Sequence, residues 1–248
     1  MNSFRTPAVF SAFPHLVAVE STRHGGVSEA PYASLNLGIN TQDHEENVAA
    51  NRRIFFEKSG ISETRFASSF QIHGDKVQVV TESGRTEGYD ALITDRPNVF
   101  VGVTVADCTP VLIFDRRTKA VAAVHAGWRG TVAQIVRKTL ETMQQTYGTQ
   151  AADCYAYVGT CIDECSFEVG AEVAEQFEAG FKRFDAGLGK YLIDLKRANA
   201  AQLTAFGIPS LQIEISPYST ITHNADYFSY RLEKGQTGRM LAIIGCQS

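Results

Sequence analysis

Between Phe66 and Gly127 the chain runs through a succession of short segments rich in Val, Ile, Phe and Ala: FASSFQIHG, KVQVVTE, YDALITD, VFVGVTVAD, PVLIFD and AVAAVHAG. Branched and aromatic residues in short runs, separated by turn-forming links, read as strands. The Val/Ile-rich runs have few polar positions, which predicts burial on both faces. Arg116-Arg117-Thr118-Lys119 suits a hairpin turn. LVAVEST, CYAYVG, LQIEIS and RMLAIIG add further strands, and ASLNLGINTQD is loop-like. Helices are expected over HEENVAANRRIFFEKSG, with Asp43 placed to cap it, over Thr131 to Tyr147, and in EVGAEVAEQFEAGF and LIDLKRANAAQLTAFGI. So many strands without intervening helices argue against a regular βαβ wound sheet. The expected class is α+β, with mixed β-sheets layered with flanking helices. No repeat or linker-like run divides the chain, so one domain spanning residues 1–248 is expected.

Bulk properties exclude several functions. The 248 residues carry a net charge of -4, with 44% apolar and 20% charged residues. Without a basic excess, nucleic acid is not expected as a partner. A local arginine cluster would still suffice for a small phosphate. No window approaches the roughly 18 to 20 apolar residues that span a bilayer, so no membrane partner is expected. The N-terminus lacks a basic leader with an unbroken apolar core and is interrupted by Pro7 and Pro14, which predicts a cytoplasmic protein. Five cysteines in such a chain do not form a disulfide framework in a reducing compartment.

Three ligand-type side chains sit at strand ends or just past them: His73 in QIHGD, Cys108 in VADC and His125 in AVHAGWRG. Two imidazoles and a thiolate suit Zn²⁺ or Cu²⁺, and three protein ligands leave a position open for chemistry. Spacings of 35 and 17 residues match no zinc finger or ribbon. The His-x-Glu and Pro-Cys-x-x-Cys of zinc deaminases and the His-Glu-x-x-His of zinc proteases are absent. Cys108 with His125 equally reads as a nucleophile and its base, with Asp107 as the orienting acid, although on a regular strand Asp107 would face the other way. A buried core cysteine with satisfied histidines is the third reading. The residues alone leave all three open.

Glycine turns at His24-Gly25-Gly26 and Ala126-Gly127-Trp128-Arg129-Gly130 would let backbone approach a ligand. The second precedes a helix, and its N–H groups with Arg129 could form a small anion site. Trp128 reads as core packing or as a stacking partner for a base. Near the C-terminus, Tyr227, Phe228, Tyr230, Arg231 and Arg239 lie close together. Such a cluster can hold a flat heterocycle and a phosphate, or can be packing with solvated charges. Cys161 and Cys165 read as ordinary thiols.

Taken as a set, STRHGGVS, SLNLG, Asn51-Arg52 on a helix, SSFQIHGDKV, YDALIT, VADCTPVLIFD, AVAAVHAGWRG, the VG-x-C-I…FEVG block and YFSYR…TGR resemble the YfiH-like family. Its members were first labelled multicopper polyphenol oxidases or laccases and are now regarded as purine nucleoside phosphorylases. The resemblance implies a fold like that of toxin cysteine hydrolases and a metal site on His73, Cys108 and His125, holding Zn²⁺ or Cu²⁺. It implies phosphorolysis of adenosine, inosine and methylthioadenosine, and deamination of adenosine. It also implies an alternative, a cysteine-dependent amide hydrolase that edits peptidoglycan precursors, and a non-catalytic metal-binding module is the third possibility. The expected partners are a purine nucleoside and phosphate. Arg129, with Arg23 or Arg231, is expected to take phosphate, and the matching motifs put forward Asn36, Gln71 and Phe228 as further substrate contacts. The chain departs from the family's usual motifs at Gly159-Thr160-Cys161-Ile162-Asp163, at Phe167 and at Ser216-Pro217, none of them among the three ligands. Multicopper chemistry is disfavoured, because it needs many histidines and the chain has six.

Overall fold

The structure, a computed structural model, describes residues 2–248. Two six-stranded mixed sheets face each other. The first runs in the order β1 (Phe4–Arg5), β2 (Leu16–Ser21), β15 (Met240–Cys246), β7 (Phe100–Val105), β3 (Phe66–Phe70) and β5 (Gly84–Glu87). The second runs β14 (Ile213–Ile215), β10 (Cys154–Val158), β8 (Thr109–Asp115), β9 (Val121–Ala126), β6 (Ala91–Thr94) and β4 (Val77–Val79). A small third sheet orders β11 (Glu168–Val169), β13 (Lys190–Ile193) and β12 (Lys182–Asp185).

Strand alternation shows why the central strands carry almost no polar residues. In β8, Leu112 and Phe114 point to the other sheet and pack with Val103, Ala242 and Ile244. Val111 and Ile113 point the opposite way, onto α3 (Ile135–Tyr147) and α5 (Leu195–Phe206), through Ile135, Leu140, Met143 and Leu203. In β15, Ala242 and Ile244 face inward, while Leu241 and Ile243 meet Phe55 and Phe56 of α1 (Glu45–Ser59). The order of layers is helix, sheet, sheet, helix, so both faces of each sheet are covered. This is the expected α+β class.

Several expected boundaries shift. The helix expected from Thr131 begins earlier, as α2 (Trp128–Val132), and breaks at Gln134, whose φ of 64° cannot continue a helix, before α3. Of EVGAEVAEQFEAGF only α4 (Ala171–Ala174) is α-helical, because Glu168–Val169 pair with β13 instead. Its apolar spacing serves a side cluster in which Val169, Ala174 and Phe177 pack beside Trp128. Leu192 and Ile193 belong to β13, and Asp194 caps α5 by accepting from the Arg197 N–H at 2.9 Å. Asp43 does not cap α1, since the N-cap position is His44. The Asp43 carboxylate accepts instead from the Ser28 hydroxyl at 2.6 Å and the Asn36 amide at 2.9 Å. Strand β3 stops at Phe70, leaving 71–74 as a loop. Strand β5, with sequence GRTE, escapes the pattern because a mostly exposed edge strand needs no apolar alternation.

Candidate functional site

Two sheets meet at the site. His73 lies in the loop after β3, Cys108 in the link from β7 to β8, and His125 in β9. The β8–β9 pairing sets Thr109 opposite Ala126, which brings Cys108 beside the turn that follows β9. His73, Cys108 and His125 then place one ligand atom each within 4.8 Å of one another. The two imidazoles meet edge to face, with centroids 4.8 Å apart. Gly127 makes the approach possible: a Cβ there would stand 3.1 Å from the Cys108 sulfur and 3.2 Å from the His73 ring. A Cβ on Gly130 would press to 2.8 Å on the carbonyl of Gly74, so this glycine lets α2 pack on the His73 loop.

One residue that sequence reasoning did not single out organises this arrangement. Asp90, fully buried just before β6, accepts from the His125 Nδ1–H at 2.8 Å and from the N–H of His73 at 2.9 Å. Its other oxygen accepts from the N–H groups of Ile72 at 3.2 Å and Gly74 at 2.8 Å. A carboxylate thereby turns the His125 Nε2 into the site and holds the left-handed backbone of His73, φ 59°. The only signal available was an aspartate inside the YDALIT segment. Asp107, the acid proposed from sequence to orient His125, does not do so. Its oxygens accept from the Thr220 hydroxyl and from the Arg231 N–H at 2.6 Å, which anchors the C-terminal aromatic segment beside Cys108.

The electrostatics couple these groups. Burial opposes a Cys108 thiolate, but the His125 and His73 imidazoles outweigh it and draw the thiol down to about 6. Burial likewise works against a charged His125, and Cys108 and Asp90 raise it in spite of that. Cys161, also buried, has no such partners, and its thiol is pushed up to about 12.

A cleft of about 500 Å³ opens above the three residues. Of the expected substrate contacts, Gln71, Arg129 and Arg231 line it. The Gln71 side chain is paired with the backbone of Thr104, donating to its carbonyl and accepting from its N–H, both at 2.9 Å. Arg129 lies over the Trp128 ring at 4.5 Å, and Trp128 packs on the side cluster. Three expected contacts do not line the cleft. Arg23 is spent on Glu233 at 3.0 Å and on the carbonyls of Ala33 and Asn224, with Phe228 beneath it at 4.5 Å. Phe228 is fully buried. Asn36 is also fully buried and accepts from the backbone of Gly38 and Arg239. These motif residues build the loops around the site. The His24-Gly25-Gly26 turn is structural too, since a Cβ on Gly26 would strike the Ser34 carbonyl at 2.3 Å. Tyr230 and Arg239 of the C-terminal aromatic and arginine cluster also line the cleft, as do Arg52 and Arg85, which the sequence did not single out as contacts.

The donor set fits a tetrahedral metal. Around zinc, neighbouring nitrogen and sulfur ligands stand about 3.3–3.6 Å apart. The 4.8 Å limit on the three donors lies within a small side-chain adjustment of that spacing. His125 offers Nε2 because Nδ1 is held by Asp90, and a thiol drawn toward thiolate is the form that ligates.

A layered α+β fold with a His–Cys–His donor set under an arginine-lined cleft defines the class. Residues 17–247 match the family model described as multi-copper polyphenol oxidoreductase laccase, and the chain belongs to this laccase-like, YfiH family. It is 38% identical to a purine nucleoside phosphorylase of Bacteroides thetaiotaomicron, covering 98% of this chain and 95% of that one. It is 34% identical to the purine nucleoside phosphorylase YlmD of Geobacillus stearothermophilus, covering 94% and 91%. The crystal structure of that YlmD superimposes over the whole of both chains, with a TM-score of 0.92 and 32% identity. The hypothetical protein YfiH of Bacillus licheniformis does so with the same TM-score and 30% identity. Among the described residues no helix is long and apolar enough to cross a membrane.

Proposed function

We propose that the protein is a purine nucleoside phosphorylase holding Zn²⁺, or alternatively Cu²⁺, on His73, Cys108 and His125. The observation that carries this reading is the convergence of those donors at the foot of a cleft lined with arginines. Relatives named purine nucleoside phosphorylase at 30–38% identity support it.

In phosphorolysis a phosphate oxygen bonds to C1′ of the ribose while the C1′–N9 bond breaks. The purine leaves with the electron pair and takes up the proton that phosphate gives up. The chain has two tasks, to hold an anion and to stabilise charge moving onto the base. Arg129 and Arg231 sit on segments tied to the ligand residues, Arg129 directly after the His125 turn and Arg231 through its N–H to Asp107. Their guanidinium forks suit phosphate oxygens. Asp90 keeps His125 and the His73 loop in register, so the foot of the cleft is preorganised. A metal bound there would supply a Lewis acid.

One observation favours a second reading, the cysteine-dependent amide hydrolase. The Cys108 sulfur lies within 4.8 Å of a His125 ring nitrogen, and His125 is hydrogen-bonded to Asp90 at 2.8 Å, which is the order of a nucleophile, its base and its orienting acid.

The test combines metal analysis with incubation in adenosine, with and without phosphate. The phosphorylase reading expects stoichiometric metal that is lost in Cys108→Ala and His73→Ala. It also expects adenine and ribose 1-phosphate only when phosphate is present. Inosine formed without phosphate would add the deaminase activity. Metal-free protein that is alkylated selectively at Cys108 and releases no adenine would overturn the proposal in favour of the hydrolase.

A further inference from the structure

Arg129 and Arg231 are placed for phosphate, whereas a purine base needs an aromatic face to lie on. The Phe, Trp and Tyr residues that line the cleft are Phe66, Phe70, Trp128, Phe167 and Tyr230. All but Phe70 already hold an arginine against the ring. Arg52 lies 5.5 Å from the centre of Phe66, which also packs on Phe56. Arg129 lies over Trp128 at 4.5 Å, Arg231 over Phe167 at 5.6 Å and Arg239 over Tyr230 at 5.4 Å. Among the described residues no cation and no aromatic ring stacks on Phe70, which is 42% exposed.

Phe70 ends β3 on the face of the first sheet that looks away from the second. Phe66 and Phe100 share that face and pack on Phe55 and Phe56 of α1, while Ala67 and Val101 turn inward to the second sheet. Continued at the same register, Ser68 comes level with Gly102 and Phe70 with Thr104, and all four line the cleft. Gly102 keeps this level shallow, since a Cβ there would meet the Phe66 ring at 2.7 Å. Arg85, opposite Ser68 on β5, donates to the Asn40 side chain at 3.0 Å and so brings Ile39, 43% exposed, to the rim. The recess is held rigid from both ends. The Gln71 side chain pairs both backbone groups of Thr104 at 2.9 Å, and the Phe70 carbonyl accepts from the Gly88 N–H at 2.9 Å. A ring fixed in advance loses little freedom when a base stacks on it.

Two further features suit this recess to the base. The Ser68 carbonyl is engaged by Thr86 at 3.5 Å, but the Ser68 hydroxyl has no hydrogen-bond partner among the described residues. A hydroxyl can donate or accept, so it serves a purine edge that carries either an oxo or an amino group. The direction of the reaction gives the second. Displacement at C1′ sets the entering oxygen and the leaving nitrogen on opposite sides of the carbon. Arg129 follows β9 of the second sheet, and Arg231 donates to the Glu168 carbonyl of the third at 3.3 Å. The recess belongs to the first sheet. Trp128, directly beside Arg129, would put the base on the side of the attacking phosphate.

We infer that the purine of the nucleoside stacks on Phe70 with its edge against the Ser68 hydroxyl, in a recess that takes adenosine and inosine alike. The inference rests on the phosphorylase reading of the same cleft. The bond from C1′ to the phosphate oxygen forms on the side of Arg129 and Arg231, and the bond from C1′ to N9 breaks on the side of Phe70. The purine leaves with the electron pair and takes the proton that phosphate gives up.

The test is steady-state kinetics of the metal-loaded protein with adenosine, inosine and phosphate each varied, in wild type, Phe70→Ala, Phe70→Leu and Phe70→Tyr. The expected result is a KM for both nucleosides raised about tenfold or more in the Ala and Leu variants, and restored to within about threefold of wild type by Tyr. The KM for phosphate and the zinc content should stay as they are. Phe70→Leu keeps apolar bulk at the strand end while removing the ring face, so it decides the matter where Phe70→Ala lowers the melting temperature. A nucleoside KM unchanged in Phe70→Leu overturns the inference. So does a phosphate KM that rises in step with the nucleoside KM, or a loss of zinc, either of which would make Phe70 a support for the His73 loop. If wild type turns over neither nucleoside, the phosphorylase reading fails, and equilibrium dialysis with adenosine decides the recess separately. Adenosine binding that weakens about tenfold in Phe70→Leu and returns in Phe70→Tyr upholds it. Binding that is equal in all of them, or absent from wild type, removes it.

Discussion

Replacing Asp90 by asparagine tests the account of the site at its most constrained point. The two side chains are nearly the same size, so packing is preserved while acceptor capacity is halved. Each oxygen of Asp90 accepts two hydrogen bonds, one oxygen from His125 and His73 and the other from Ile72 and Gly74. Turned toward Ile72 and Gly74, the asparagine NH₂ faces two backbone N–H donors; turned toward His73 and His125 it faces one, because a neutral imidazole can move its proton to Nε2 and accept at Nδ1, which takes that Nε2 away from a metal. Each buried donor left without an acceptor costs about 1–3 kcal/mol. The favoured orientation therefore costs about 1–3 kcal/mol, a sizeable part of the roughly 5–15 kcal/mol that holds a typical domain together. The left-handed backbone of His73 adds a strain of about 1–3 kcal/mol that Asp90 now offsets. The expected outcome is release of the 71–74 loop and loss of metal affinity beyond the about 10- to 100-fold typical when a ligand's carboxylate partner is removed. Urea unfolding of the metal-free protein and zinc competition against a chromophoric chelator measure the two effects. An unfolding free energy within about 1 kcal/mol of wild type, together with zinc affinity within about threefold, would refute the reasoning.

Two other substitutions probe the turn beside the ligands and the buried layer between the sheets. In Gly127→Ala the new Cβ would crowd the Cys108 sulfur and the His73 ring at 3.1 and 3.2 Å, and displacements of about 0.5 Å are enough to spoil a ligand set; zinc affinity should drop about tenfold with little change in melting temperature, and unchanged affinity would show that the turn yields freely. Glu20 lies 1% exposed between the sheets, and burial raises its pKa above 4.5 against hydrogen bonds from Tyr157 and Thr160. From pH 4.5 up to its raised value the native state keeps a proton that the unfolded chain releases, so stability falls as pH rises through that window. Glu20→Gln should remove this slope, because its carbonyl can accept from the Thr160 N–H while its NH₂ donates to two hydroxyls. Urea midpoints between pH 5 and 8 that decline as steeply in the variant as in wild type would count against a proton held by Glu20.

Much of the fold was legible because strand burial is written in local pattern. VFVGVTV, PVLIFD and AVAAV are apolar at successive positions, and in the structure their alternating faces meet a second sheet on one side and a helix or an aromatic cluster on the other. What failed was local competition. Leu192 and Ile193 have helical neighbours but are taken into β13 by pairing, and Glu168–Val169 are drawn from an apparent helix by the same strand. Among site residues, Arg23, Asn36 and Phe228 belong to the motif set, and motif membership alone points to substrate contact. The structure uses them to brace loops, a role that motif membership does not distinguish from contact.

The sequence by itself determined the chemistry on offer: which side chains can ligate, which can hold an anion, and which runs must be buried. Those are properties of residues and of short-range periodicity. Only the tertiary structure decided that His73, Cys108 and His125 converge, since this depends on two sheets stacking and on β8 pairing with β9. It also decided that Asp90 rather than Asp107 orients His125. An acid 17 residues from His73 and 35 from His125 becomes their common partner because β6 pairs with β9 and brings its leading residue beside the His73 loop. Hydrogen bonds reach about 3 Å, and nothing in a linear pattern says which distant residues will come that close.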